Sequence, residues 1–127
     1  MGILAVLVAA AASYAWGAVW YMVMAKPWMA AAGITEADIN RKDPTPFIIS
    51  GIATILVAGM MRHIFASSGI DGFMGGLMGG FGLGIFIATP WIVTNYAFSM
   101  RPRALMLIDG AYATVGCTIM GIVLGLF

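Results

Sequence analysis

The chain has 127 residues, 62% of them hydrophobic and only 9% charged, with a formal net charge of +1. A soluble domain carries about 25% charged residues, and a chain this short cannot hide so much apolar surface in a water-facing fold. The balance excludes a soluble globular enzyme, a basic nucleic-acid-binding face and an acidic tail, and it leaves lipid as the solvent for most side chains.

A helix needs about 20 apolar residues to cross the hydrocarbon. The first such run, residues 3–24, carries no charge and stops at Lys26-Pro27. It lacks the Lys/Arg region that opens a secretory signal, so it is expected to stay as an uncleaved membrane helix. A loop over 25–46 follows, holding Lys26, Glu36, Asp38, Arg41, Lys42 and Asp43. Thr35 and Asp38 have capping-box spacing, which predicts a short helix lying at the interface. The second span, 47–65, starts after Pro44 and Pro46 and runs past Arg62 and His63. The third, 72–100, is uncharged, and Thr89-Pro90 is expected to kink it. The fourth, 104–127, contains one acid, Asp109.

These runs predict an all-α fold: an integral membrane four-helix bundle, antiparallel, forming a single transmembrane domain over 1–127. Lys26, Arg41, Lys42, Arg101 and Arg103 collect in loops 25–46 and 100–103, against Arg62 alone at the other end. The positive-inside rule then puts those two loops in the cytoplasm and both termini outside. Trp20, Tyr21, Trp28 and Tyr96 would lie near the headgroups at the cytoplasmic end.

Between helices in lipid, close packing of small residues supplies the association. Gly72, Gly76, Gly80, Gly84 and Ala88 recur every four residues in the third span, with Gly75 and Gly79 as a second row. The first span repeats the device at Ala5, Ala9, Ser13 and Gly17, and the fourth at Ala113, Cys117, Gly121 and Gly125. Seams within the bundle are the common use of such ladders. The double row leaves open a second use, docking another protomer or a larger partner.

Asp109 is the only acid inside a span, and charge at such depth marks a functional candidate. It lies six residues past Arg103, roughly 9 Å along a helix. The turn through Arg101 and Arg103 brings Asn95 to nearly the same depth, so Asn95, Asp109, Arg101 and Arg103 form a candidate polar pocket. It would bind an ion, a proton or a small headgroup, or else be an interhelical hydrogen bond or ion pair that closes the hairpin. His63, the one histidine, is a weak candidate ligand for a metal or pigment. The single cysteine, Cys117, permits no disulfide within the chain. No phosphate loop is present, and His63 stands at the wrong end to serve Asp109, so neither an enzyme nor a resident cofactor is expected.

The runs Asn95-Tyr96-Ala97-Phe98-Ser99-Met100-Arg101-Pro102, Leu107-Ile108-Asp109-Gly110-Ala111-Tyr112 and Met120-Gly121-Ile122-Val123-Leu124-Gly125 resemble the bacterial family catalogued as domain of unknown function seventeen sixty-one. Gly17-Ala18-Val19-Trp20-Tyr21, Lys26-Pro27-Trp28-Met29 and Gly33-Ile34-Thr35-Glu36 look like its opening signature. The resemblance spans nearly the whole chain and implies four helices in a bacterial membrane, with no activity attached. The chain departs from the pattern in a shorter segment before Lys26, at Asp109 where asparagine is expected, and at Ala113 where histidine is expected.

Together these features favour a small structural or accessory subunit packing against a larger bacterial membrane complex of respiratory or photosynthetic type. The alternative is a small proton-coupled transporter or channel acting as a homo-oligomer, with Asp109 as the coupling group. A pigment- or haem-binding protein would hang on His63 alone. The expected partners are membrane lipid and other membrane subunits or a second copy, without nucleic acid. The expected location is the bacterial inner membrane, crossed several times.

Overall fold

The structure, a computed structural model, describes residues 2–39 and 42–127; Met1, Asn40 and Arg41 lie outside the described residues, and with Arg41 goes one of the charges expected in the first loop. Among the described residues five helices form: α1 (Gly2–Val23), α2 (Ala25–Ala32), α3 (Thr45–Ser68), α4 (Gly72–Phe98) and α5 (Arg103–Leu126). Among the described residues there is no strand. Four of the helices, all but α2, are long and apolar enough to cross a membrane. The fold is all-α, an antiparallel four-helix membrane bundle, and the chain is a multi-pass membrane protein.

Local chemistry sets the boundaries. Pro27 has no N–H to offer the carbonyl of Val23, so the helical ladder fails there and α1 gives way to α2 at Met24. The α2 helix closes at Gly33, whose φ of 72° is the left-handed stop that glycine adopts freely. The expected interfacial helix therefore sits before the capping box. Thr35 N–H donates to Asp38 Oδ2 at 2.9 Å, yet the box closes only a three-residue turn, Glu36–Asp38, before the chain reaches Asp43-Pro44. Pro46 stands in the first turn of α3, where a missing N–H costs nothing.

The bundle is organised around α5. It packs along α4 and against α1, and also touches α2 and α3, whereas α4 has few contacts beyond α5. Half of the membrane-length window of α5 is buried, compared with 28% in α1 and 17% in each of α3 and α4. The α1 helix buries its small stripe of Ala5, Ala9, Ser13 and Gly17. Ala58, Met61 and Phe65 close the core from α3.

The glycines of α4 and α5 bring the two backbones together. A Cβ added at Gly76 would lie 2.1 Å from the Gly121 carbonyl oxygen, and one at Gly80 would lie 2.3 Å from that of Cys117. One at Gly84 would meet Thr114 Cα at 2.8 Å, and one at Gly125 the carbonyl oxygen of Gly72 at 2.3 Å. The second row is occupied too: a Cβ at Gly79 would meet the ring of Phe65 at 2.8 Å, and one at Gly75 would meet Ile70 at 3.4 Å. Both glycine rows of α4 thus face the chain's own side chains and backbone.

The regular spacing then breaks. Over Gly84–Ala88 the helix widens to a π turn, and Thr89 N–H returns five residues to the Gly84 carbonyl. Such a turn inserts one residue into the helix. The inward positions of α4 run Gly76, Gly80, Gly84 at steps of four, and then Thr89 and Tyr96, each one residue later than an unbroken helix would place them.

Candidate functional site

The polar side chains of the bundle gather where the end of α1, the last turns of α4 and the first turns of α5 meet. Asp109 is buried there, at 8% exposure. Its two oxygens accept hydrogen bonds from two tyrosines on different helices: Tyr21 O–H donates to Oδ1 and Tyr96 O–H to Oδ2. The phase shift in α4 makes this possible, because it turns Tyr96 inward.

Aromatic rings wall the site. Tyr21 packs against Tyr112 with ring centroids 5.1 Å apart and edge-on against Trp28 at 6.3 Å. Trp16 and Trp20 stack at 5.3 Å. Their indole N–H groups donate to the carbonyl oxygens of Tyr112 and Ile108, at 3.1 and 3.0 Å. One turn deeper, Thr89 Oγ1 donates to the Gly110 carbonyl oxygen at 3.2 Å and pairs with Thr114 Oγ1 at 2.7 Å. Among the described residues no buried side-chain nitrogen or oxygen lacks a partner.

The candidate residues separate on this geometry. Asn95 does not meet Asp109; it is exposed, and its backbone carbonyl accepts the N–H and O–H of Ser99. Residue 95 has the right depth but the wrong face, one position short of the tyrosine that the π turn brings inward. Arg101 and Arg103 are exposed on the rim, and the carboxylate oxygens are held by tyrosines. His63 is exposed on α3, and no group of three metal-binding side chains occurs among the described residues. Gly72 opens α4 with φ 75° and nothing near its Cβ direction, while Ala88 packs at the edge of the core.

Tyr21 and Tyr96 are the residues that depth arithmetic passed over, because aromatic side chains near a membrane surface are ordinarily interface anchors. The signal for them was chemical: a buried carboxylate needs donors, and tyrosine hydroxyls were the nearest on the neighbouring helices. Because the two hydroxyls donate to different oxygens of one side chain, the site ties α1, α4 and α5 together.

No curated protein and no solved structure matches the chain. The family model described as "Protein of unknown function (DUF1761)" matches residues 4–125, and the chain belongs to that family.

Proposed function

We propose that the chain is a small, non-enzymatic accessory subunit of a bacterial inner membrane, packing within lipid against a larger membrane complex through the outward side of α4. The observation that carries this reading is where the exposed aromatic rings lie. Phe73, Phe81, Phe86, Trp91 and Phe98 all stand outward on α4, and Phe47 and Phe127 are the other exposed Phe or Trp residues among those described. Large rigid rings contribute strongly to helix contacts and are enriched where proteins meet. Beside the π turn, Phe86, Ile87, Pro90, Trp91 and Thr94 line a notch of about 210 Å³, shaped to receive a side chain from another helix.

Mild solubilisation of native membranes tests the proposal. The chain should migrate with a larger assembly, and paired Phe86→Ala and Trp91→Ala changes should release it without altering its own melting temperature. Migration only as a free 13.4 kDa species or its small oligomer would sink the reading.

In this orientation loops 25–46 and 100–103 face the cytoplasm, supported by Lys26, Lys42, Arg101 and Arg103 at one end of the bundle. Ser99→Cys should react with a thiol reagent from the cytoplasmic side and Ser68→Cys from the outside. The reverse pattern would invert the topology.

A second reading, a proton-coupled transporter or channel acting as a homo-oligomer, is favoured by Asp109 between two tyrosine hydroxyls. It requires flux in liposomes that Asp109→Asn abolishes.

A further inference from the structure

At the opposite end of the bundle lies a second polar feature that the proposed function does not use. The link between α3 and α4 stands off from the ends of α1 and α5, leaving a cavity of about 200 Å³. Phe65, Ile70, Leu124 and Phe127 give it apolar walls, and Arg62 and Asp71 give it two opposite charges. We infer that this cavity binds a zwitterionic phospholipid headgroup of the phosphoethanolamine type, with the phosphate at Arg62 and the ammonium at Asp71.

Placement is the first argument. Arg62 lies six residues inside the end of α3, roughly 9 Å along the helix axis, so its charge enters at the level of the headgroups. An arginine this near a helix end reaches the interface, where phosphate oxygens are its natural partners. The guanidinium rests against the first turn of α1, where a Cβ on Gly2 would lie 2.7 Å from Arg62 Cζ. Arg62 is exposed overall, and this contact sets its guanidinium at the cavity rim.

Charge is the second argument. Arg62 and Asp71 line one cavity, yet among the described residues neither closes an ion pair with the other or with any third group. Asp71 does not even use its carboxylate to cap α4, the helix that it precedes. Two opposite charges held apart over a small space fit a ligand carrying both signs. A phosphate offers Arg62 a bidentate acceptor, and a primary ammonium offers Asp71 N–H donors. A purely anionic headgroup would meet the Asp71 carboxylate. A choline headgroup would bring positive charge without donors. The apolar walls then run toward the acyl chains.

Native mass spectrometry of the detergent-purified protein tests this with four probes: phosphatidylethanolamine, phosphatidylcholine, phosphatidylglycerol and soluble O-phosphoethanolamine. The wild-type chain should retain phosphatidylethanolamine roughly tenfold better than the other two lipids, the worth of one charge-assisted hydrogen bond. Arg62→Gln should remove that retention. Asp71→Asn, a change at an exposed position before α4, should raise phosphatidylglycerol to the level of phosphatidylethanolamine. Retention of phosphatidylcholine or phosphatidylglycerol by wild type equal to that of phosphatidylethanolamine, or a preference over phosphatidylglycerol that survives Asp71→Asn, would overturn the proposal. Binding of soluble O-phosphoethanolamine as tightly as the lipid would assign the cavity to a free aminophosphate and overturn it too. If Arg62→Gln does not fold, Asp71→Asn alone decides.

Discussion

Asp109 ties α1, α4 and α5 together through one side chain, since Tyr21 and Tyr96 each donate to a different oxygen. Hydrogen bonds between membrane helices contribute about 0.6 kcal/mol on average and up to about 1.7. Tyr21→Phe and Tyr96→Phe should each lower stability within that range, measured by unfolding in mixed micelles. The double variant should lose more than the sum, because the first change leaves the carboxylate one donor and the second leaves it none. Strict additivity would mean that the two hydroxyls act independently of one another. Asp109 was legible in the sequence as the one acid within a span, and its depth followed from helix rise alone. Its partner was not, because one residue turns a helix face by about 100° and depth carries no azimuth. Outside the membrane, hydrogen bonds from the Thr35 backbone and side chain hold the Asp38 carboxyl below its ordinary value, and those from Thr45 do the same for Asp43. A depressed carboxyl contributes order above its unfolded value and loses it as pH falls. The Thr35 and Thr45 amides should therefore exchange slowly near neutral pH and lose that protection as the solution is acidified through the aspartate range. Protection unchanged at low pH would contradict this.

The seam between α4 and α5 has no room for a side chain at its centre. A methyl group at Gly80 or Gly121 would stand against backbone atoms of the facing helix, which cannot swing aside as a flexible side chain can. Gly80→Ala and Gly121→Ala should each cost more than about 2 kcal/mol, the range of core overpacking. Gly82, on the same helix with nothing within 4 Å of its Cβ direction, is the matched control. Gly82→Ala should be neutral or stabilising by up to about 1 kcal/mol, as expected for a glycine inside a helix. Equal losses at Gly80 and Gly82 in a thermal melt would deny the seam. The spacing of these glycines was plain in the sequence, but which neighbour each row faces depends on how the helices are arranged around α5. The π turn was hidden as well. Thr89-Pro90 announced an irregularity, though a proline alone specifies a kink and not an inserted residue. Ala88 and Asn95 are where an unbroken helix would place the inward face; Thr89 and Tyr96 are where the widened turn puts it.

At the scale of the whole molecule, the four spans were legible because hydropathy over about 20 residues is a strong signal. The arrangement was not, since all four spans are similarly apolar and none announces itself as central. Burial distinguishes them, and it gives α5 the middle. Cys117 lies on that helix, buried at 8% exposure, and is the chain's only thiol. Its reaction with a maleimide should be slow in the folded protein and should follow global unfolding, because reaching it requires α5 to part from its neighbours. Fast labelling under native conditions would show that α5 leaves the bundle locally. The central place of α5 also has a consequence in time. During synthesis α1, α3 and α4 leave the ribosome before the helix on which α4 chiefly packs and against which α1 rests one side. Until α5 follows, Ser13 and Gly17 of α1, which face α5, and the inner glycine row of α4 lie uncovered in the bilayer, where either could pair with a second nascent chain. Assembly of this bundle is therefore a race between its own fourth span and its neighbours on the same polysome.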